Sequence, residues 1–339
     1  MRSGTRSMLI GAAVAALLVL PAAAGDNGWV VWPTKSYAAS TLKVEDVVGN
    51  VRVNVADGPM KVDVSGNRAL VAGLTIKTEG NLLLISGSET ASFNVWDWRK
   101  WFDFSHIHDD NSGKVFIKVT VPKGTDVRIE DLVGDATIGD TYGPVHLETS
   151  AGDATVGRVT KANVALDGSG KIAIADVAGD LRLEIAGSGR VTAGHAGSVR
   201  AEIAGSGDTQ IGVISGATNI EIAGSGDFTA AKISGPLHVE IAGSGNVKIA
   251  DGIADPFSVE IFGAGDLYFG GVAVNPHVSA LGSGNVKLKS YRGKLSNDGM
   301  ADVQVGDHIV APPAPPVGPV PPVPPGHHTG DDDDDDDGN

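Results

Sequence analysis

The tripeptide Gly-Ser-Gly returns along this chain at almost fixed spacing, and few folds accommodate so short and regular a glycine period. It is bracketed by Gly168 and Gly170, Gly187 and Gly189, Gly205 and Gly207, Gly224 and Gly226, Gly243 and Gly245, and Gly282 and Gly284. Gly263-Ala264-Gly265 fills the one gap, and Gly134 and Gly152 extend the ladder upstream. Successive last glycines lie 18, 18, 19, 18, 19, 19, 20 and 19 residues apart. A unit this small cannot enclose a core by itself. Each repeat must bury its apolar side on the next, which makes a solenoid.

Aligned on the last glycine, the repeats form columns. Ile185, Ile203, Ile222, Ile241 and Ile261 occupy one, and Leu183, Ala201, Ile220, Val239 and Val259 stand two residues earlier. Between them runs an unbroken column of Glu184, Glu202, Glu221, Glu240 and Glu260. Aliphatic inward and glutamate outward is strand alternation, and a second short strand follows each turn, as in Asn246-Val247-Lys248-Ile249. The expected fold is therefore all-β: a parallel β-helix of about nine coils, on the order of 40 Å long at ~4.8 Å per coil. The glycines are read as structural corners with positive φ and room for the next turn. The Asp or Asn that usually follows (Asp208, Asp227, Asn246, Asp266, Asn285) is expected to tolerate a left-handed backbone and bond to it locally. Helical periodicity with caps is absent from the pattern.

Composition limits function. Only 5% of the 339 residues are aromatic and 47 are glycine, which suits a narrow aliphatic core better than an enzyme with a wide pocket. The net charge of −15 leaves no basic surface for a nucleic acid backbone. There is no cysteine, hence no disulfide and no lipoprotein anchor. Arg2 and Arg6, the apolar run from Met8 to Leu20 and Ala22-Ala23-Ala24 read as a secretory signal. No later segment approaches the ~20 apolar residues of a membrane span.

The expected organisation follows from these features. Residues 1–24 are a signal peptide and 25–41 a lead-in. A β-rich section spans 42–121, with an aromatic insertion at 93–113, and regular repeats fill 122–305. A proline-rich spacer at 306–326 is expected to be extended. The His/Asp-rich tail at 327–339, with its block from Asp331 to Asp337, is expected to be self-repelling and unfolded.

Several of these residues together resemble the head GIN domain family of bacterial autotransporter adhesins. They are the Ile-Ala-Gly-Ser-Gly-Asp unit, the segment Val119-Thr120-Val121-Pro122-Lys123-Gly124 before the repeats, and the closing Gly299-Met300-Ala301-Asp302. The resemblance implies a right-handed β-helix in the cell envelope and brings no catalytic residues with it. An autotransporter ends in a membrane barrel, whereas this chain ends in proline and aspartate, so self-export is not expected.

Candidate sites each have two readings. The column Glu184, Glu202, Glu221, Glu240 and Glu260 is either a solvated face or a row of oxygen ligands for a cation such as calcium. Arg182 and Arg200 neighbour its first two members, leaving Glu221, Glu240 and Glu260 without a basic neighbour. Trp96, Trp98, Trp101 and Phe102 belong to a cluster holding three of the five tryptophans. They form either a flap over the solenoid end or an aromatic patch for sugar rings or a membrane surface. His106 and His108 alternate as metal ligands would, but no second ligand cluster is tied to them.

No catalytic elbow, thiol nucleophile or phosphate loop is present. The expected function is an exported envelope binding or structural module, periplasmic or at the cell surface. It would show a repetitive face to surface glycans or an envelope protein, as a monomer or weak self-associate, without cofactor. A polysaccharide hydrolase or lyase and a purely structural rod are the alternatives.

Overall fold

The computed structural model describes residues 28–87, 114–300, 302–306 and 308–310. The chain winds as a β-solenoid of about nine coils whose strands are parallel and in register. One coil shows the pattern. Strand Asp227–Gly243 pairs along its first half with Asn246–Gly263, from Asp227↔Asn246 to Ala230↔Ile249, and along its second half from Leu237↔Phe257 to Gly243↔Gly263. A register shift between Gly235 and Leu237 marks the bend between the two halves.

The aliphatic columns line the interior. Ile185, Ile203, Ile222, Ile241 and Ile261 are directly paired from coil to coil, and each is at most 2% exposed. Each side chain so buried contributes about 1.5–3 kcal/mol. Towards the C-terminal end the core holds an aromatic pair: Phe257 and Phe269 pack with centroids 5.4 Å apart.

The two glycines of each corner serve different purposes. Gly243 has φ +136°, which side chains rarely adopt. Gly245 has no such φ; a Cβ there would lie 2.7 Å from Ile222 Cγ2 and against the Gly226 carbonyl oxygen of the preceding coil. The first glycine allows the turn, and the second allows stacking.

The residue after the corner differs from the expectation. The Asp and Asn side chains do not cap their own turn in a left-handed backbone; they reach across to the neighbouring coil. Asp227 Oδ1 accepts from the Asn246 backbone N–H at 3.1 Å and from its Nδ2 at 2.9 Å. Asn246 Oδ1 accepts from Asp266 N–H at 3.3 Å, and Asp266 Oδ1 from Asn285 N–H at 2.9 Å. In a parallel stack the amide of the next coil lies closer to this side chain than its own strand does.

Parallel stacking starts well before the Gly-Ser-Gly repeats. Strand Thr41–Val55 pairs with Asp126–Val133 on one side, and with Leu82–Ser86 and Val115–Val121 on the other. Ser86 faces Glu45 and Val115 faces Gly49, two positions that Thr41–Val55 separates by three residues. The end of this stack is covered by antiparallel strands. Met60–Asn67 pairs with Val115–Val121, Thr75–Glu79 with Leu82–Ser86, and Trp29–Val31 and Lys35–Tyr37 with Met60–Asn67. A parallel edge is thereby closed without recruiting another chain. One turn of helix, Arg68–Ala72, also lies here, capped by Asn67 Oδ1 accepting from Ala69 N–H at 2.9 Å. It is too short to leave a periodic signal, so the sequence pattern missed it. At the far end, His308–Val310 folds antiparallel onto Val303–Val305.

Candidate functional site

The outer face of the corner-bound sheet is ruled into three columns by strand alternation. In the coil ending at Gly205 they are Arg200, Glu202 and Ala204; in the next, Asn219, Glu221 and Ala223. All five glutamates of the sequence column stand on this face in continuous register. Glu184, Glu202, Glu221 and Glu240, with the alanines beside them, line a shallow groove of about 400 Å3.

Glutamates stacked at ~4.8 Å repel unless something offsets them. Here arginines do so in a staggered way. Arg182 Nε donates to Glu184 at 2.7 Å, and its Nη2 reaches Glu202 of the next coil at 3.0 Å. Arg200 repeats the move on Glu202 at 2.8 Å and Glu221 at 2.8 Å. The pKa of Arg200 is raised, first by its hydrogen bond with Glu202 and then by the charge of Glu221. Glu221 is therefore compensated, contrary to the sequence reading, because an arginine spans two coils. Glu240 and Glu260 have no cationic partner among the described residues.

The same device opens the stack. Lys43 Nζ lies 2.7 Å from Glu45 and 2.9 Å from Glu130, and those hydrogen bonds raise its pKa. Sequence reasoning missed this pair, although a basic residue two before a glutamate is the same signal as Arg182 and Glu184. Glu148 also faces outward on this sheet, and its pKa is raised, foremost by burial and then by Asp131 and Asp167.

As to a cation row, no three His, Asp or Glu side chains among the described residues come together as a group that would hold a metal ion. The carboxylates of Glu184, Glu202 and Glu221 are turned to arginines. Trp96, Trp98, Trp101, Phe102, His106 and His108 lie outside the described residues, as do the signal segment, residues 311–326 of the proline spacer and the Asp tail; His308–Val310, expected in the spacer, is a strand paired with Val303–Val305. No helix among the described residues is long and apolar enough to cross a membrane.

A feature not singled out from the sequence stands in the third column. After Ala204, Ala223 and Ala242 it continues with Phe262 and Leu281, paired in register, and the Met300 N–H donates to Ala280 to bring Met300 beside them. These three are 43%, 50% and 74% exposed. The signal was legible as an exchange of alanine for large apolar residues before the last corners.

Comparison with known proteins bears on this fold. Residues 43–232, more than half of the chain, match the family model described as "Putative auto-transporter adhesin, head GIN domain". Among solved structures, a putative adhesin of Parabacteroides distasonis ATCC 8503 is similar at 17% identity and TM-score 0.38, over 80% of this chain and 98% of that one. A putative lipid binding protein of the same organism aligns at 15% identity and TM-score 0.35, over 83% and 98%. A putative adhesin of Bacteroides fragilis NCTC 9343 aligns at 14% and 0.29, over 81% and 96%. Superpositions this loose carry no functional argument. Pleiotropic regulator 1 of Bos taurus and of Homo sapiens is 33% identical over 52 residues, 15% of this chain. The chain spans about a tenth of the length of those curated relatives. The family match, with the in-register solenoid, decides the assignment: the chain belongs to the head GIN domain family.

Proposed function

We propose that this chain is an adhesin-like binding module of the cell envelope, exported to the periplasm or the surface, which meets its partner with the outer surface of its last three coils. The observation that carries this reading is where apolar side chains are exposed. Ten large ones stand exposed among the described residues. Six of them, Ile253, Phe262, Tyr268, Leu281, Tyr291 and Met300, fall between 253 and 300. Single exposed apolar residues are ordinary, but Phe262, Leu281 and Met300 on successive coils make a continuous patch, which is the mark of an interaction surface. The family's description as adhesins and the signal-like N-terminus point the same way.

The module is read as non-catalytic. Its glutamates run single file at coil spacing, with Glu184, Glu202 and Glu221 bonded to arginines, whereas glycoside hydrolysis needs two carboxyls facing each other across the bond to be cut. The test is a glycan array probed with the labelled chain and with the F262S/L281S/M300S variant, folding being checked by circular dichroism. The variant is expected to lose most of the bound signal. Equal signal from both proteins would overturn the reading, and recovery of the mature protein in the cytoplasm would overturn its envelope location.

A further inference from the structure

Charge is handled differently at the two ends of the solenoid. In the earlier coils cations are spent on carboxylates: Arg158, Lys161, Arg182, Arg190 and Arg200 each lie within 3.6 Å of one. In the last coils Lys232 still lies 3.9 Å from Asp251 and His277 3.3 Å from Asp298, but other charges separate onto two faces. Glu240 and Glu260 stand on the glutamate face, while Lys248 and Lys287 stand on the sheet beyond the corner with no carboxylate partner among the described residues.

Lys248, Tyr268 and Lys287 are consecutive in register: Lys248 faces Tyr268, and Tyr268 faces Lys287. The same column is neutral through Thr137, Thr155, Ala173, Thr192, Gln210 and Thr229, and before them carries a cation at Arg52. Tyr268 is 37% exposed, and it lies across Gly270, where a Cβ would stand 3.3 Å from its Cε1. The missing side chain lets the ring rest on the sheet and turn a face outward. Beside the ladder runs the corner column, with the amides of Asn246 and Asn285 flanking Asp266.

We propose that Lys248, Tyr268 and Lys287 form a binding ladder for an acidic polysaccharide. Tyrosine offers a ring face for a sugar, and the ammonium groups are point charges for carboxylates. The two lysines are two coils apart, ~10 Å, which matches uronic acids separated by one intervening sugar resting on Tyr268. The neighbouring amides suit hydroxyl groups. Nucleic acid fits less well, because its charge is far denser than this short lysine row, even with the exposed Lys289 beside Lys287, and would meet Asp266. A lipid surface would need a broad basic plane, which the corner column interrupts.

The proposal rests on the reading of the last coils as the contact surface, and its test separates the two. Binding of the exported chain to hyaluronan, in which uronic acid and amino sugar alternate, is measured beside neutral dextran, oligothymidylate and phosphatidylglycerol vesicles. Hyaluronan is expected to bind and dextran not. K248Q/K287Q should weaken hyaluronan at least about tenfold, a change of about 1.4 kcal/mol. Y268A should weaken it several-fold with the salt dependence retained, and Y268F should restore it. Hyaluronan failing to bind, variants binding like the wild type, or oligothymidylate or vesicles binding as tightly would each overturn the ladder. Loss of hyaluronan binding in F262S/L281S/M300S alone would overturn the ladder yet keep the last coils as the contact surface. Binding unmoved by either set of variants would overturn both.

Discussion

Arg200 donates to Glu221 of the next coil at 2.8 Å while its Nε stays on Glu202 of its own coil. One side chain thus ties two coils and offsets two members of an otherwise repulsive column. The interaction is exposed, so salt should screen it. Arg200→Gln is expected to lower the melting temperature slightly at low ionic strength. The difference should vanish near 1 M salt, where the Debye length is about 3 Å. Thermal melts of both proteins across a salt series check this.

The corner makes a prediction at two positions. Gly224 has φ +134°, whereas Gly226 is constrained by Ile203 Cγ2, 2.7 Å from where a Cβ would stand. Gly226→Ala should cost about 1–3 kcal/mol by overpacking against the preceding coil. Ser225 is exposed between them, and Ser225→Ala should change stability by less than about 0.5 kcal/mol. Urea unfolding of the two variants distinguishes a corner fixed by packing from one fixed by its hydroxyl.

Asp227 carries an inter-coil bond that its own turn does not need. Asp227→Ala removes the acceptor of Asn246 N–H and Nδ2 and should cost about 0.5–1.5 kcal/mol per bond lost. Asp227→Asn keeps an acceptor and should recover most of the loss in the same unfolding experiment.

Glu148 should work against the fold when ionised. Burial, with Asp131 and Asp167 nearby, raises its pKa above the usual glutamate value. A raised acid binds its proton more tightly in the native state, so stability falls as pH rises from the unfolded pKa through the folded one. Glu148→Gln removes that loss. The variant should be slightly more stable at neutral pH, by about a few tenths of a kcal/mol after solvent screening, with the gain gone below the ordinary glutamate range. Unfolding curves at several pH values test the sign.

The coil architecture was legible because glycine, isoleucine and glutamate repeat at one period, and a parallel stack turns sequence period directly into spatial column. What the period does not encode was not legible. The antiparallel cover of Met60–Asn67 and Thr75–Glu79 is built from non-repeating strands, and the helix Arg68–Ala72 is too short for periodicity. Arg200 could be placed beside Glu202 from the sequence, but its reach to Glu221 depends on side-chain length against coil rise. The patch of Phe262, Leu281 and Met300 was hidden because attention to what repeats passes over what breaks the repeat.

The account stands on the last three coils being the contact surface. Hydroxyl-radical footprinting of the chain, free and with the glycan most strongly retained on the array, tests it most directly. Protection is predicted at Phe262, Tyr268, Leu281 and Met300, with Tyr142 and Val213, exposed on earlier coils, unchanged. Protection at Tyr142 or Val213 with none at Phe262 and Tyr268 would contradict it.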